Sequence, residues 1–509
     1  MSSFAEALFT VPPFPGANPV RILRKSHAPL PVAPEACAAL AEAVRRERVG
    51  GAFWDDRDPW TRFDHGDVCA LSGDDPLVLL AAIAGCPVIC ETAGAFAELS
   101  GLKPGSAAHA EQMHALIAEH LVAAVEWHDP YTGEPSSPLR IIAQLGAWRR
   151  LIEGNRGIRA AFGFAAWKQD TVAALLWPGD APPPFAAPSP SQLDRLPPHS
   201  TVAVWKARVP PAFLSQLEQS GRPILEVEDG FIRSIGLGAD CVPPLSIVVD
   251  DRGAHYDPSH PCRLEEMLLY GQPDAATLTR ARALRERIAA SGISKYGVGG
   301  GTRLPRPAGD RPHILVTGQV EDDRSVLLGG GGLTSNHELL RRVRALRPDA
   351  YIIYRPHPDV EAGHRKGHVA PTDMLALADA SNPASPISDL IAMVDEVHVL
   401  TSLAGFEALL HGKPVVTHGI PFYAGWGLTT DLAPVPSRRN RSISLDHLVA
   451  AVLIEYPRYI DPVTGLPCEV ELVIERMGAG VQRQKAALVM LRQGWGLLRR
   501  NLVRIRQKK

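Results

Sequence analysis

Short β-branched runs alternating with helix-like stretches constrain this chain more than any other feature. They are Thr201-Val202-Ala203-Val204-Trp205, Ile247-Val248-Val249, Ile314-Leu315-Val316, Tyr351-Ile352-Ile353-Tyr354, Val397-His398-Val399-Leu400 and Pro414-Val415-Val416-Thr417. Continuous apolar runs of this length suit strands buried on both faces, and the stretches between them supply the crossovers that parallel strands need. The pattern predicts an α/β fold with parallel sheets. In such sheets ligands sit outside the carboxyl ends of the strands, so the residues after each run carry the functional reading.

The chain also repeats itself. Ala81-Ala82-Ile83-Ala84-Gly85-Cys86-Pro87-Val88-Ile89 aligns with Ala408-Leu409-Leu410-His411-Gly412-Lys413-Pro414-Val415-Val416 at a displacement of 327 residues, which also carries His120 to Val125 onto His447 to Val452. Asp129-Pro130-Tyr131-Thr132-Gly133 matches Asp461-Pro462-Val463-Thr464-Gly465 after a five-residue gap. The N-terminal region therefore reads as the latter half of a decayed copy placed ahead of a complete one. Its chemistry is gone: Glu407 aligns with Leu80, Phe422 with Ala95 and Trp426 with Leu99. Pro/Ala-rich segments at Ala181–Gln192 and Arg303–Pro312 read as linkers, because proline removes a backbone donor and fixes the chain in extended form. The expected organisation is a partial repeat over 1–155, an acceptor-side Rossmann-like domain over 156–305, a second over 306–475 and a basic tail over 476–509.

With 509 residues, 45% apolar and 21% charged at a net charge of -2, the chain has the composition of a globular protein, and nothing global points to nucleic acid. Its seven cysteines are irregularly spaced, which indicates neither a disulfide framework nor a zinc ribbon and suits a reducing cytosol. Neither a signal peptide nor a spanning segment is expected. After Glu475 there is no acid, and the basic residues from Arg476 to Lys509 interleave with Leu488, Trp495, Leu498 and Ile505. That pattern suits an amphipathic helix on an anionic membrane, or a solvated helix on the protein body.

Acids and small hydroxyls cluster after the strands. Glu228-Asp229 end one run and precede Arg233, which suits an acceptor-side acid or base or a structural ion pair. In GQVEDDRSVLLGGGG, Gln319 and Asp323 stand four apart beside Glu321 and Asp322, ahead of a glycine run. A carboxylate there is able to attack an anomeric carbon and form a covalent adduct, to hold a divalent cation, or simply to cap a helix. Arg355-Pro356-His357-Pro358 follows another strand, with His357 stiffened between prolines and placed for a phosphate or a turn. Thr401-Ser402 opens a helix whose free N–H groups suit a phosphate, and Glu407 follows one and a half turns on, within reach of ribose hydroxyls. The segment Gly419 to Leu428 is glycine-interrupted and aromatic, and reads as a lid.

Taken in order, EDGFIRSIGLG, GQVEDDRS, YRPHPDVEAG, SLAGFEALLHGKPV and GIPFYAGWGLTTD resemble the capsule polysaccharide β-Kdo transferases of the KpsC type, over about Gly163 to Glu475. Members of that family are typically two-module enzymes, whereas this chain has one complete module. The resemblance implies two Rossmann-like domains in a GT-B-like arrangement behind the partial degenerate repeat. It also implies a retaining transfer of Kdo from CMP-Kdo to a Kdo/phosphatidylglycerol-type lipid linker. On that resemblance Asp323 is the nucleophile, Gln319 supports it, and Asp229 or Glu228 is the acceptor-side base. His357 and Ser402 take the donor phosphate and Glu407 the ribose or cytosine. Arg355 stands where the family commonly has Lys, which keeps the charge and changes the geometry. No metal or other cofactor is required, although Mg²⁺ is compatible. The implied setting is the cytoplasmic face of the inner membrane, with a second Kdo transferase as a partner. A non-catalytic capsule assembly or export component that binds the Kdo-glycolipid, and a GT-B enzyme for another nucleotide sugar, are the alternatives.

Overall fold

In the computed structural model the described residues are 4–26, 32–236, 241–295, 297–299, 304–307, 309–361, 363 and 365–481. The basic tail expected over 476–509 falls outside them from residue 482 onward. The chain divides into two compact units. One comprises Met1–Arg159, Val172–Pro184 and Val463–Pro467; the other comprises Ala160–Thr171, Phe185–Pro462 and the residues from Cys468.

The first unit contains the degenerate copy, and its local structure follows the complete one. Helix Leu77–Ala84 stops at Gly85, whose φ of 87° admits glycine readily, and strand Val88–Cys90 follows. In the second unit helix Leu403–Leu410 is likewise followed by Gly412 at φ 68° and strand Val415–Thr417. Further along, a π-helical turn over Ala118–Ala123 leads into strand Val125–Trp127, as Ala450–Glu455 leads into Pro457–Ile460. Trp127 Nε1 donates to the Leu121 carbonyl at 2.8 Å, and Tyr459 Oη donates to the Leu453 carbonyl at 2.8 Å, so in each copy an aromatic side chain of the strand bonds back to a carbonyl six residues earlier. What has changed is the helix start: Asp75 Oδ1 accepts from the Leu77 amide where Ser402 Oγ accepts from Ala404. A carboxylate at that point repels an anion.

The second unit is built on two sheets. Seven strands run in the order Pro467–Cys468, Pro457–Ile460, Ser246–Asp250, Ile224–Asp229, Thr201–Val204, Ile158–Phe162, Phe185–Ala186. Thr201–Val204 and Ile224–Asp229 are parallel, and Ser246–Asp250 runs against both of its neighbours. Strand Pro457–Ile460, expected within the second domain, therefore pairs in the first sheet. Part of the segment expected as a linker over 181–192 is also ordered: Phe185–Ala186 is an edge strand and Pro190–Asp194 a short helix. Proline is tolerated in both settings, at a sheet edge and at the first position of a helix.

Six parallel strands form the other sheet, in the order Ala380–Ser381, Tyr351–Arg355, His313–Thr317, Glu396–Val399, Val415–Thr417, Thr430–Asp431. Numbered along the chain this is 3-2-1-4-5-6, the doubly wound order of dinucleotide-binding folds. The centres of the core strands are mostly apolar, as burial on both faces favours, with Leu315, Val316, Ile352, Val397 and Val399 at 0% exposure, while His313, Thr317, His398 and Thr417 are buried polar members of the same strands.

Candidate donor-binding cleft

In a 3-2-1-4-5-6 sheet the strand order reverses between the first and fourth strands, and a crevice opens at their carboxyl ends. Here those strands are His313–Thr317 and Glu396–Val399, and a cleft of about 470 Å³ lies at that place. It is lined by Gln319, Asp323, Arg355, His357, Ser402 and Glu407, residues from three separate sequence motifs. Glu228 and Asp229 do not line it.

Gln319 joins the two sides of the reversal. Its Nε2 donates to Thr401 Oγ1 at 2.9 Å and its Oε1 accepts from the Thr401 amide at 2.8 Å. Its own backbone is held by Asn336, whose side chain accepts from the Gln319 amide at 2.9 Å and donates to its carbonyl at 2.7 Å. Asp323 caps the short helix Arg324–Gly329, accepting at Oδ1 from the Ser325 amide at 3.0 Å and the Ser325 hydroxyl at 2.8 Å. The neighbouring acids diverge: Glu321 accepts from the Asn336 amide at 2.8 Å, and Asp322 pairs with Arg365 at 3.1 Å on the exposed side. The acidic run therefore does not converge into one oxygen cluster.

On the opposite wall, His357 Nδ1 accepts from the Asp359 amide at 3.1 Å, and burial lowers the pKa of the imidazole. Arg355 donates to the Ser385 carbonyl. Ser402 caps helix Leu403–Leu410, and its carbonyl accepts from the Tyr423 hydroxyl. Glu407 Oε1 accepts from the Lys295 amide at 2.8 Å, and burial raises its pKa. Thr317 Oγ1 and Asp359 Oδ1 also line the cleft, buried and without a hydrogen-bond partner among the described residues.

The two acids at the end of strand Ile224–Asp229 have different environments. Asp229 is clamped by Lys168 at 3.0 Å and Arg233 at 2.9 Å. Burial opposes its ionisation, yet the charges of Arg233 and Lys168 outweigh that and hold the carboxyl well below the usual range. Glu228 accepts from Tyr256 Oη at 3.2 Å, and its pKa is pushed up to about 8, by burial first and by the Asp229 charge second. Lys168 also lies over the Trp205 ring, 3.3 Å from its centroid. Asp229 thus sits in a structural ion pair, which makes it a weak base, while Glu228 titrates near neutrality.

The expected lid is part of the body. Phe422, Tyr423 and Trp426 are at most 8% exposed, with the Phe422 ring packed at a tilt against Phe231, centroids 4.9 Å apart. Strand Thr430–Asp431 anchors the segment, and Asp431 accepts from the Gly425 amide at 2.8 Å. Sequence reasoning missed Lys295, Thr317 and Lys168, and it gave Thr401 no role beyond the helix start. Thr401 alone carried a signal, as a hydroxyl residue at the end of a strand.

Two α/β halves with a cleft at the switch point of the C-terminal one define the GT-B class of architecture. A family model described as "Capsule polysaccharide biosynthesis protein" matches residues 204–297 and 302–459. The chain is 41% identical over 338 residues to the capsule polysaccharide modification protein LipA of Neisseria meningitidis serogroup B, covering 66% of this chain and 47% of LipA. It is 44% identical over 274 residues to the lipopolysaccharide-processing protein LpsZ of Rhizobium meliloti, covering 53% of this chain and 62% of LpsZ. It thus spans about half the length of LipA. Among solved structures, KpsC of Thermosulfurimonas dismutans is similar in its β-Kdo 2,7 transferase (35% identity, TM-score 0.51) and its β-Kdo 2,4 transferase (30%, 0.54). Each match covers 63% of this chain and 98% of the other. The chain belongs to the KpsC-type family of capsule polysaccharide proteins.

Proposed function

We propose that the second unit is a retaining β-Kdo glycosyltransferase that moves Kdo from CMP-Kdo to a lipid-borne Kdo linker of a capsule. The observation that carries the reading is that Asp323, His357 and Ser402, distant in sequence, line one cleft at the switch point of the sheet. CMP presents one phosphate, and one helix start with one imidazole is a proportionate complement to it. Glu407 takes a ribose hydroxyl or the cytosine.

Asp323 has one oxygen held by Ser325 and a second left for attack. As that oxygen bonds to the anomeric carbon, the bond from this carbon to the phosphate oxygen breaks and CMP leaves. An acceptor hydroxyl then bonds to the same carbon, the bond to Asp323 breaks, and the hydroxyl proton passes to Glu228; two inversions give net retention. Gln319 fixes the strand end from which Asp323 projects. The basic segment 476–509 brings the enzyme to an anionic inner-membrane surface on its cytoplasmic side, where a second Kdo transferase of the capsule system acts beside it.

Incubation with CMP-Kdo and a fluorescent Kdo-lipid mimic tests this reading. Transfer by the wild type, none by Asp323→Ala, and a mass increment of one Kdo on Asp323 are expected. Glycolipid binding without turnover in every variant would replace the enzyme with a scaffold.

A further inference from the structure

We propose that Tyr256 is the positioning residue of the acceptor-side base: its single hydroxyl hydrogen is shared between Glu226 and Glu228 and follows the charge on Glu228 through the transfer. This inference rests on the reading of Glu228 as the base of a Kdo transferase and adds the residue that keeps its carboxyl poised.

Side chains two apart on a strand share a face, so Glu226 and Glu228 project side by side from strand Ile224–Asp229. The fold balances the two acids unequally. Lys206 Nζ pairs with Glu226 at 2.7 Å, and Glu226 is 4% exposed. Among the described residues no cation pairs with Glu228, because Lys168 and Arg233 are turned to Asp229. Tyr256, on the loop after strand Ser246–Asp250, lies between the acids, its Oη 3.3 Å from Glu226 Oε1 and 3.2 Å from Glu228 Oε1. A phenol carries one hydrogen, so it bonds one acid at a time. Burial, and after it the charges of Glu228 and Glu226, raise the pKa of Tyr256, so the hydrogen stays on its oxygen.

Which acid takes the hydrogen follows from the charges. While Glu228 is ionised it is the acid without a counter-ion, so the hydrogen points to it and Glu226 keeps Lys206. When the acceptor hydroxyl gives its proton to Glu228, that charge is gone and the Tyr256 hydrogen turns to Glu226. The acceptor's proton ends on Glu228 and leaves from there to solvent; none leaves Tyr256. Each form of the base thus finds its partner by rotation of one O–H bond. Burial first, then the charge of Asp229 and after it that of Glu226, oppose ionisation of Glu228, and the Tyr256 hydrogen eases it. The remaining groups nearby hold their charge: Asp229 stays in its clamp, the Arg324 cation reaches Tyr256, and His255, its ring 5.5 Å from that of Tyr256, is kept neutral by burial.

Transfer by the full chain from CMP-Kdo to the fluorescent Kdo-lipid mimic, followed from neutral to alkaline pH, tests the assignment. The readout is the midpoint of the rising limb, which a merely structural role leaves in place. Tyr256→Phe removes the hydrogen and is expected to move the midpoint up by about one pH unit, the size of a hydrogen bond to a charged group, with the plateau kept within about threefold. Glu226→Gln removes the competing charge and should move the midpoint down by about half a unit or more. Lys206→Met strips Glu226 of its counter-ion and should move it up. An unmoved midpoint in Tyr256→Phe, or a midpoint in Glu226→Gln that does not fall, would overturn the role of Tyr256 while leaving Glu228 as the base. Wild type without transfer, or a limb that survives Glu228→Gln, would instead remove the reading on which the inference stands, and the inference with it.

Discussion

Gln319 and Thr401 exchange two hydrogen bonds, Nε2 to Oγ1 at 2.9 Å and the Thr401 amide to Oε1 at 2.8 Å, across the point where the order of the parallel sheet reverses. The pair ties the loop carrying Asp323 to the loop that opens the Ser402 helix. Replacing Gln319 with Ala leaves the Thr401 amide and hydroxyl without these partners, so urea unfolding should show a loss of about 1–3 kcal/mol. CMP affinity should fall with it. Gln319→Glu keeps the acceptor and removes the donor, and should fall between Ala and wild type.

Asp323 is both a helix cap and the proposed nucleophile, and two substitutions separate the roles. Asn caps helices as well as Asp does, whereas Ala costs about 0.5–2 kcal/mol. Asp323→Asn should therefore melt like the wild type and transfer no sugar. Asp323→Ala should lose both stability and turnover. Activity retained by the Asn variant would refute the covalent step.

The pKa of about 8 for Glu228 sets the sign of a pH effect. A base must be unprotonated to accept a proton, so the rate should rise with pH up to about 8 and then level; Glu228→Gln should remove that limb. Stability runs the other way. The folded-state pKa is raised above the unfolded one, so ionising Glu228 in the fold costs free energy and stability declines between the unfolded pKa and about 8. Glu228→Gln should flatten that decline in melting measured across the pH range.

Asp229 is expected to act through charge balance. Asp229→Asn leaves Lys168, 6% exposed, and Arg233, 1% exposed, as buried cations without their carboxylate. A loss of about 3–5 kcal/mol in denaturant unfolding is expected, as for other broken buried pairs. Asp229→Glu should keep the charge and recover part of the loss.

Gly405 tests the packing beneath the helix start at Ser402, the proposed phosphate site. A Cβ there would lie 2.2 Å from the Tyr423 hydroxyl, which donates to the Ser402 carbonyl. Gly405→Ala should shift that ring, cost about 1–3 kcal/mol by overpacking, and weaken CMP binding in titration.

The parts of the fold legible in the sequence were those set by neighbours along the chain. Short apolar runs need no distant partner to declare themselves: Ile314-Leu315-Val316 and Val397-His398-Val399 read as buried strands and are strands. The decayed repeat was legible for the same reason, because the glycine after each helix and the strand that follows are local necessities. Gln319, Asp323, Arg355, His357, Ser402 and Glu407 line one cleft, since each belongs to a segment at the carboxyl end of a strand of the same parallel sheet.

The sequence by itself determined which segments become strands, and hence that the polar residues after them gather at one edge of a parallel sheet. Only the tertiary structure decided which acid is which. Glu228 and Asp229 are adjacent letters of the same type, and their opposite ionisation comes from Lys168 and Arg233 beside Asp229 and from burial and the Asp229 charge at Glu228. It likewise decided that the aromatic segment around Tyr423 is interior and that Lys295 faces the cleft. Backbone preference and periodicity act over a few residues, whereas burial and charge pairing depend on what the completed fold brings within a few ångströms.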